Sequence, residues 1–447
     1  MKFKEPLKII LITATVILLF VASLVAPIDY TPLKEQPFYA RMQARLDSFK
    51  LRPFPASDTL QVGWSQFSIV PGHPMPMAGY KPRGNFTEVH DSVYIKVMAI
   101  DNGAVTAYLI SAGLLIFPPA LKDMINSRLP PGHGLLYFSA THTHTSVGGW
   151  DPSLLGAVLM GSYDQKWMES LADSTVAHMA KAKSSRKPAT LSYWEADLGQ
   201  YVSNRLDSSA KVDGEARGLR VARSDGSQGI LFTFGAHPTI ISKNLTSLSA
   251  DYPGEVARRL SGDYAFAEFM AGPLGSQKFK GYKKIFDFDL LKISGGLFAP
   301  PIRQAAQVPL GNVVNISYGE LKIEHGSSQL RLSRNFKLRD WVFKWISRPL
   351  EGRITILQIG DVLMLGMSCD FSGEITATEG LEALAAQNGL KLIITSFNGD
   401  YTGYISKDTH YQTSDAEEVR VLNWVGPYFG QYYTGIIKKI IQNSKLK

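Results

Sequence analysis

Short apolar runs alternate with segments of helical periodicity along most of the chain. Several apolar runs have the length of buried strands: VYIKVMAI, AVTAYLISAG, GLLYFSAT, GILFTFGAH, RITILQIG, VLMLGMS and LKLIITSF. Residues 165–183 carry apolar side chains at helical spacing, and a further helix is predicted near residues 374–387. This alternation predicts an α/β fold in which mixed sheets are flanked by helices.

The longest apolar run lies at the start of the chain, at residues 9–26, after Lys2, Lys4 and Lys8. Its length is short for a membrane-spanning helix and long for the core of a signal peptide. We predict an uncleaved membrane anchor at residues 1–27, with a cleaved signal as the alternative. The lysines favour a cytoplasmic N-terminus and export of the rest of the chain. Residues 28–60 are predicted to be a tether, and residues 61–447 a single α/β domain.

Composition narrows the chemistry that the chain can carry. Its 447 residues are 45% hydrophobic and 19% charged, as in globular proteins. Cys369 is the single cysteine, which excludes an internal disulfide and a thiolate zinc cluster. The net charge of +8 comes without a basic stripe interleaved with aromatic residues, so no nucleic-acid partner is expected. A membrane surface rich in anionic lipid suits the same charge.

The stretch LLYFSATHTHTSVGGW, at residues 135–150, ends an apolar strand with two histidines one residue apart. In an extended strand the side chains of His142 and His144 would point to the same side. Two imidazoles at the end of a strand suit a metal site or a proton-transfer site. A pair of hydrogen-bonded surface histidines explains this stretch equally well.

Other apolar strands also run into polar, ionisable tips: His237, Asp370 with Glu374 four residues later, and Asp400 with Tyr401 and Tyr404. Open α/β sheets place their sites at the carboxyl ends of strands, so we expect these tips to converge. Two histidines and one carboxylate leave a zinc coordination position free for water, as in catalytic sites. Each tip taken alone is more typical of a hydrogen-bonded loop residue.

Several of these motifs, in order along residues 60–435, resemble those of the neutral, non-lysosomal ceramidases, zinc amidases that cleave the N-acyl bond of ceramide. The stretch ATHTHTSVGGW is similar to the family's GTHTHSGPGGY, and FGAHPT with SADYPG is similar to FAVHPTS with SSDNKG. VSNRLD resembles INRSP, GMSCDFS resembles GVPGEFT, and NGDYTGYISKDTHYQ resembles NxYxxYxTTxEEYQ. The chain looks like a membrane-anchored bacterial member of this neutral/alkaline family that comprises only the catalytic N-terminal domain.

The resemblance implies a ligand set for Zn²⁺: His142, His237, Asp370 and Tyr404. Asp370 stands where the family has a longer glutamate, and Glu374 is the alternative carboxylate. The resemblance further implies catalytic roles for His144, Arg205 and Tyr404. His144 would be the general base and acid, and Arg205 would face the substrate's polar head or, with Tyr404, the developing oxyanion.

The chain departs from the family where the family has QSNxGD. Here the stretch is AGPLGSQ, with Gly272 in place of the family's serine, Pro273 in place of its asparagine, and Ser276 out of register. Gly113 replaces an aspartate, and we expect the family's C-terminal immunoglobulin-like domain to be absent. Direct attack by a zinc-activated water is therefore favoured over an acyl-enzyme.

Together these observations predict an exported, membrane-anchored, ceramidase-like zinc amidohydrolase. Its expected substrate is the N-acyl amide of a sphingolipid or a related lipid. Two alternatives remain. One is a catalytically degenerate lipid-binding protein of the cell envelope, and the other is an esterase that uses the same zinc.

Overall fold

The structure is a computed structural model that describes residues 4–80 and 83–444. Within these residues the helices are α1 (Lys4–Leu24), α2 (Pro37–Ser48), α3 (Pro119–Arg128), α4 (Leu154–Met160), α5 (Gln165–Ser184), α6 (Asp251–Leu260), α7 (Asp287–Gln304), α8 (Asp340–Ile346), α9 (Gly373–Thr378), α10 (Leu381–Gln387), α11 (His410–Thr413), α12 (Glu417–Arg420) and α13 (Phe429–Asn443). The helix predicted near residues 374–387 is split into α9 and α10 at Gly380, whose φ of 68° lies in the left-handed region and ends a helical run.

The strands of the same residues are β1 (Val25–Pro27), β2 (Arg52–Phe54), β3 (Gln61–Ser68), β4 (Glu88–Val89), β5 (Tyr94–Asp101), β6 (Thr106–Ala112), β7 (Leu135–Ala140), β8 (Lys187–Asp197), β9 (Val202–Asn204), β10 (Glu215–Arg223), β11 (Gln228–Phe234), β12 (Ser247–Leu248), β13 (Phe266–Ala271), β14 (Gln277–Phe279), β15 (Gln307–Gly311), β16 (Ile316–Ile323), β17 (Phe336–Leu338), β18 (Gly352–Ile359), β19 (Val362–Gly366), β20 (Asp370–Phe371), β21 (Lys391–Thr395) and β22 (Tyr404–Ile405).

Two mixed sheets form the centre of the molecule. In the described part of the chain the larger sheet has nine strands in the order β13-β11-β10-β8-β3-β5-β6-β7, with β15 also paired to β8. The smaller sheet has the order β2-β16-β18-β19-β21. Three neighbouring pairs are parallel, namely β6 with β7, β11 with β13 and β19 with β21, and the other pairs of these two sheets are antiparallel. The predicted mixed α/β fold is confirmed.

The larger sheet is buried on both faces, which explains its continuous apolar runs. On β5, Ile95, Val97 and Ala99 pack into a core shared with helices α3, α5, α6 and α7. Met98 and Ile100 point to the opposite face, into a core shared with the smaller sheet. Successive residues of one strand therefore serve two cores, as the pleat requires.

The smaller sheet repeats this division and gives the molecule four layers. Val362 and Met364 of β19 face the larger sheet. Leu363 and Leu365 face the opposite way, toward α2, α10 and α13. The order of layers is helices, larger sheet, smaller sheet and helices.

The apolar N-terminal run forms α1, and residues 6–24 of it are long and apolar enough to cross a membrane by length and composition. None of this segment is buried against the domain, and an anchor and a signal sequence both fit this description. The helix ends at Leu24, earlier than the apolar run, because residues 25–27 pair as β1 with β17.

Residues 28–60, predicted as a tether, carry elements that pack on the domain. Phe38, Met42 and Leu46 of α2 are buried in the core of the smaller sheet. Strand β2 adds to the edge of the same sheet by pairing with β16. The boundaries of the predicted tether remain a prediction.

Candidate metal centre

His142 and His144 of the stretch LLYFSATHTHTSVGGW meet at a turn and not on a strand. Strand β7 ends at Ala140, and His142 adopts a φ of 61° in the left-handed region. The expectation of an extended strand through both histidines is therefore wrong. The turn still brings the two rings together, with 3.2 Å between the Nε2 atoms of His142 and His144.

Backbone carbonyls fix the tautomers of His142 and His237. His142 Nδ1 lies 2.6 Å from the Leu115 carbonyl oxygen, and His237 Nδ1 lies 2.8 Å from that of Leu274. A carbonyl accepts only, so each Nδ1 carries the hydrogen and each Nε2 presents a lone pair. This arrangement is the one that metal-binding histidines use.

Asp370 lies opposite these lone pairs. Its Oδ1 is 3.3 Å from His142 Nε2 and 3.7 Å from His237 Nε2, while its Oδ2 accepts a hydrogen bond from the Tyr401 hydroxyl at 2.7 Å. Oδ1 is buried and has no hydrogen-bond partner. Burial raises the pKa of Asp370 to about 7. An unpaired carboxylate oxygen facing two imidazole lone pairs is costly without a cation, and therefore fits a metal ion.

Tyr404 completes the group because two very short strands hold it beside Asp370. Strands β20 and β22 are parallel, with Asp370 in register with Tyr404. The Tyr404 hydroxyl donates to His237 Nε2 at 3.0 Å. Burial raises the pKa of Tyr404, the Asp370 charge adds to the rise, and the Arg205 charge opposes it. The structure thus brings together all four residues of the predicted ligand set.

His144 lies at the more open side of this group and is half-buried. Its ring centroid is 5.0 Å from that of Tyr80, and its carbonyl oxygen accepts from Arg83. One ring nitrogen each from His142, His144 and His237 lie within 4.8 Å of one another, so the His144 nitrogen is also within reach of a shared ion. Burial lowers the pKa of all three histidines, to about 3 for His142, which makes them neutral near pH 7.

Arg205 lies next to Tyr404, with its Cζ 5.8 Å from the centroid of the tyrosine ring. Its guanidinium forms a close ion pair with Glu418 of α12, and both side chains are mostly buried. The charge of Arg205 is therefore balanced in this conformation. Glu418 could not be predicted from the sequence, because no motif or spacing around it indicates that α12 lies beside Arg205.

Two other candidate residues have partners elsewhere. The Glu374 carboxylate accepts from His410 Nε2 at 2.7 Å and from Asn204 Nδ2 at 2.9 Å, which leaves Asp370 as the carboxylate that faces the imidazoles. Asp400, a candidate strand tip, pairs with Lys122 at 2.9 Å and Arg353 at 3.0 Å. Tyr401, a strand tip to which the sequence assigns no role, donates its hydroxyl hydrogen to Asp370 and orients it.

Gly272, which stands where the resembled family has a serine, lies close to the backbone of Phe234. A Cβ added there would lie 2.9 Å from the backbone carbonyl carbon of Phe234, so a larger residue requires the backbone to shift. Ser276 is fully buried, and its Oγ accepts from Ser372 Oγ at 2.9 Å and from the Glu374 amide at 3.1 Å. Its hydroxyl belongs to a buried turn.

The chain matches no protein-family model, and its sequence matches no curated protein. Among the solved structures with a similar fold are two ceramidases. One is the neutral ceramidase from Pseudomonas aeruginosa, with a TM-score of 0.74 and 14% identity over 88% of this chain and 76% of that chain. The other is a ceramidase complexed with C2, with a TM-score of 0.71, 13% identity and the same coverage of 88% and 76%. At this identity the likeness shows the fold.

Proposed function

We propose that the chain is a zinc-dependent amidohydrolase that cleaves the N-acyl amide bond of a sphingolipid or a related lipid. The observation that carries this proposal is Asp370 Oδ1, buried without a donor and facing the lone pairs of His142 and His237. Those atoms and the Tyr404 hydroxyl would hold Zn²⁺. The ceramidase fold supports an amide of a lipid as the substrate class.

In the proposed reaction, water adds to the amide carbonyl, the C–N bond breaks, and a fatty acid and an amine leave. Bound zinc would act as a Lewis acid, polarising the carbonyl and acidifying the water. His144 is neutral and lies beside the ligands, so its imidazole can accept the proton of the attacking water. The His144 imidazole then returns this proton to the departing amine nitrogen.

Tyr404 and Arg205 are the groups available for the developing oxyanion. The tyrosine hydroxyl lies in the ligand group, and the guanidinium lies beside its ring, where it would have to exchange its pairing with Glu418 for the oxyanion. Fixed donors and positive charge stabilise a tetrahedral oxyanion more than they stabilise the ground state. The buried partners of Ser276 and the closed backbone at Gly272 favour direct attack by water over an acyl-enzyme.

Metal content and hydrolysis of the full-length chain test this proposal. We expect stoichiometric zinc by elemental analysis, loss of zinc in the His142→Ala/His237→Ala double variant, and release of fatty acid from an N-acyl sphingosine. His73→Ala is the matched control, because His73 is 61% exposed in its side chain and lies outside the histidine group. Full zinc occupancy in the double variant would rule out the site.

Two results would replace this function with another. Zinc bound without hydrolysis of any N-acyl lipid or ester would indicate a lipid-binding protein of the envelope. Hydrolysis of acyl esters without hydrolysis of amides would indicate an esterase on the same metal. In the proposed setting α1 anchors the chain in the membrane, and the domain lies on the exported side.

A further inference from the structure

Four large apolar side chains are exposed around β17 and α8. The exposed fractions are 53% for Leu332, 48% for Phe336, 54% for Trp341 and 71% for Trp345. Leu332 and Phe336 are joined across a hairpin by a hydrogen bond from the Leu332 amide to the Phe336 carbonyl. Neighbouring exposed apolar side chains of this size mark an interaction surface. We call these four residues the α8 patch.

The short helix α8 divides its side chains between the core and the surface. Val342 and Phe343 are buried, and Phe343 packs against Trp424 with ring centroids 5.6 Å apart. Trp341 and Trp345 are four residues apart and so lie on one face of the helix. These tryptophans are therefore exposed on a helix whose other side already packs on the domain.

The α8 patch adjoins the end of α1. Strand β1 follows α1 directly and pairs with β17, so that Val25 lies in register with Leu338. The backbone amide of Arg339 donates to the Leu24 carbonyl at 2.9 Å. Helix α8 therefore begins beside the last residue of the apolar helix.

Basic residues accompany the exposed aromatic side chains. Residues 332–348 contain one acidic residue, Asp340, and five basic ones: Arg334, Lys337, Arg339, Lys344 and Arg348. Lys337 is buried, whereas the side chains of Arg334, Arg339 and Lys344 are exposed. Tryptophan beside lysine and arginine is the composition found at the boundary between a bilayer and water.

We propose that the α8 patch lies in the interfacial layer of the bilayer that α1 crosses, against anionic lipid headgroups. Trp341 and Trp345 then reach the acyl boundary, and Arg334, Arg339 and Lys344 lie at the level of the phosphates. The patch fixes the domain on the membrane surface by a second contact beside the anchor. This contact requires neither metal nor substrate, but it rests on the membrane anchoring by α1 that belongs to the proposed function.

Helix α8, which carries the tryptophans of the α8 patch, is connected to the candidate metal centre through packed aromatic rings. Phe343 contacts Trp424, and Trp424 packs against Tyr401 with centroids 5.2 Å apart. The Tyr401 hydroxyl in turn holds Asp370 Oδ2 at 2.7 Å. If the proposed function holds, the side of the metal centre that contains Tyr401 is near the membrane from which a lipid amide would come.

Quenching of tryptophan fluorescence by brominated lipid tests the contact. The sequence has seven tryptophans and none in residues 1–27, so all of the signal comes from the domain. The full-length chain would be reconstituted into phosphatidylcholine–phosphatidylglycerol vesicles, with and without bromine near the top of the acyl chains. We expect bromine-dependent quenching in the wild type and its loss in the Trp341→Phe/Trp345→Phe variant.

Trp167→Phe is the control. Trp167 is half-buried against the core of the larger sheet, so its replacement should leave the quenching unchanged. The single variants Trp341→Phe and Trp345→Phe, each losing part of the quenching, replace the double variant if that one does not fold. Equal bromine-dependent quenching in the wild type and the double variant would overturn the proposal. A wild type without bromine-dependent quenching would also overturn it, and cross-linking of two chains at α8 would then indicate that the patch joins two copies of the chain.

Discussion

Asp370 faces the two histidines with a shorter side chain than the glutamate of the family that the motifs resemble. The family resembled by the motifs has a glutamate at this position, and an aspartate requires the backbone to approach more closely. The register of β20 with β22 places Asp370 beside Tyr404, and Tyr401 holds one of its carboxylate oxygens. Sequence motifs identified the residue, whereas the orientation depends on partners that lie far away in the chain.

A substitution at His144 distinguishes a role in proton transfer from a role in metal binding. Replacing it with glutamine removes an ionisable group and keeps a polar side chain beside His142. We expect His144→Gln to retain zinc and to lower the turnover number by about two to four orders of magnitude, the usual range for a general acid–base. Elemental analysis and initial rates of fatty-acid release measure the two effects. Loss of zinc together with activity would instead make His144 a third imidazole ligand.

Glu268 of β13 gives a prediction about pH and stability. Its carboxylate is fully buried, neither oxygen has a hydrogen-bond partner, and burial raises its pKa well above the usual value. A carboxyl with a raised pKa in the folded state is protonated there, so stability falls as pH rises above the pKa of the unfolded chain. Glu268→Gln mimics the protonated form. We expect the variant to match the wild type near pH 4 and to unfold at higher temperature than the wild type at pH 7.5.

The size of this effect is measured by how the difference in the free energy of unfolding between wild type and Glu268→Gln changes with pH. The free energy of unfolding of the wild type should fall relative to the variant by at most about 1.4 kcal/mol for each pH unit. Lys96, whose pKa burial lowers to about 8, begins to lose its charge only near the upper end of this range. The raised pKa of Glu268 would be contradicted if the unfolding temperatures of wild type and variant differed by the same amount at pH 4 and at pH 7.5.

At the scale of elements, the sequence predicts strands and helices that have a periodic apolar pattern, and it does not predict strands of two residues. Strands such as β5 and β19 are long apolar runs, and the prediction of a mixed α/β fold follows from them. Strands β20 and β22 have two residues each and no periodicity, yet they place Asp370 beside Tyr404. The turn at His142 was also missed, because φ near 60° is rare for a histidine and the threonines around it favour a strand.

Gly275 makes the placement of β20 testable. A Cβ added to this residue would lie 2.4 Å from the Asp370 carbonyl oxygen, so Gly275→Ala must displace the strand that carries the carboxylate. We expect weaker zinc binding and a loss of about 1–3 kcal/mol in the free energy of unfolding, as for other overpacked sites. Zinc titration and denaturant unfolding measure the two.

Gly435 of α13 provides the matched control for this substitution. A Cβ there would meet no atom within 4 Å, and alanine is a better helix former than glycine. Gly435→Ala should therefore bind zinc as the wild type does and be slightly more stable. Unchanged zinc affinity in Gly275→Ala would show that the site tolerates movement of β20.

At the scale of the whole molecule, one pattern explains both the fold and the place of the site. Parallel pairs at β6–β7 and β19–β21 lead their carboxyl ends toward His142 and Asp370, and β11 leads to His237 from the same sheet as β7. The sequence could predict convergence because each polar tip follows an apolar strand. It could not predict the stacking of two sheets, since a strand buried on both faces reads the same whichever layer covers it.

The orientation of α1 is the remaining property of the whole molecule that charge predicts. Lys4 and Lys8 lie at the N-terminal end of the helix, and basic residues close to a short flank favour the cytoplasmic side. Arg334, Arg339 and Lys344 lie near the other end, but they belong to a long folded domain, and long segments are translocated largely regardless of charge. We therefore expect an exported domain.

Reporter fusions after residue 447 test this orientation. Alkaline phosphatase, which is active only after export, should be active there. Green fluorescent protein, which fluoresces only in the cytoplasm, should stay dark. Fluorescence without phosphatase activity would reverse the topology, and phosphatase activity found entirely in the soluble fraction would show that α1 is cleaved.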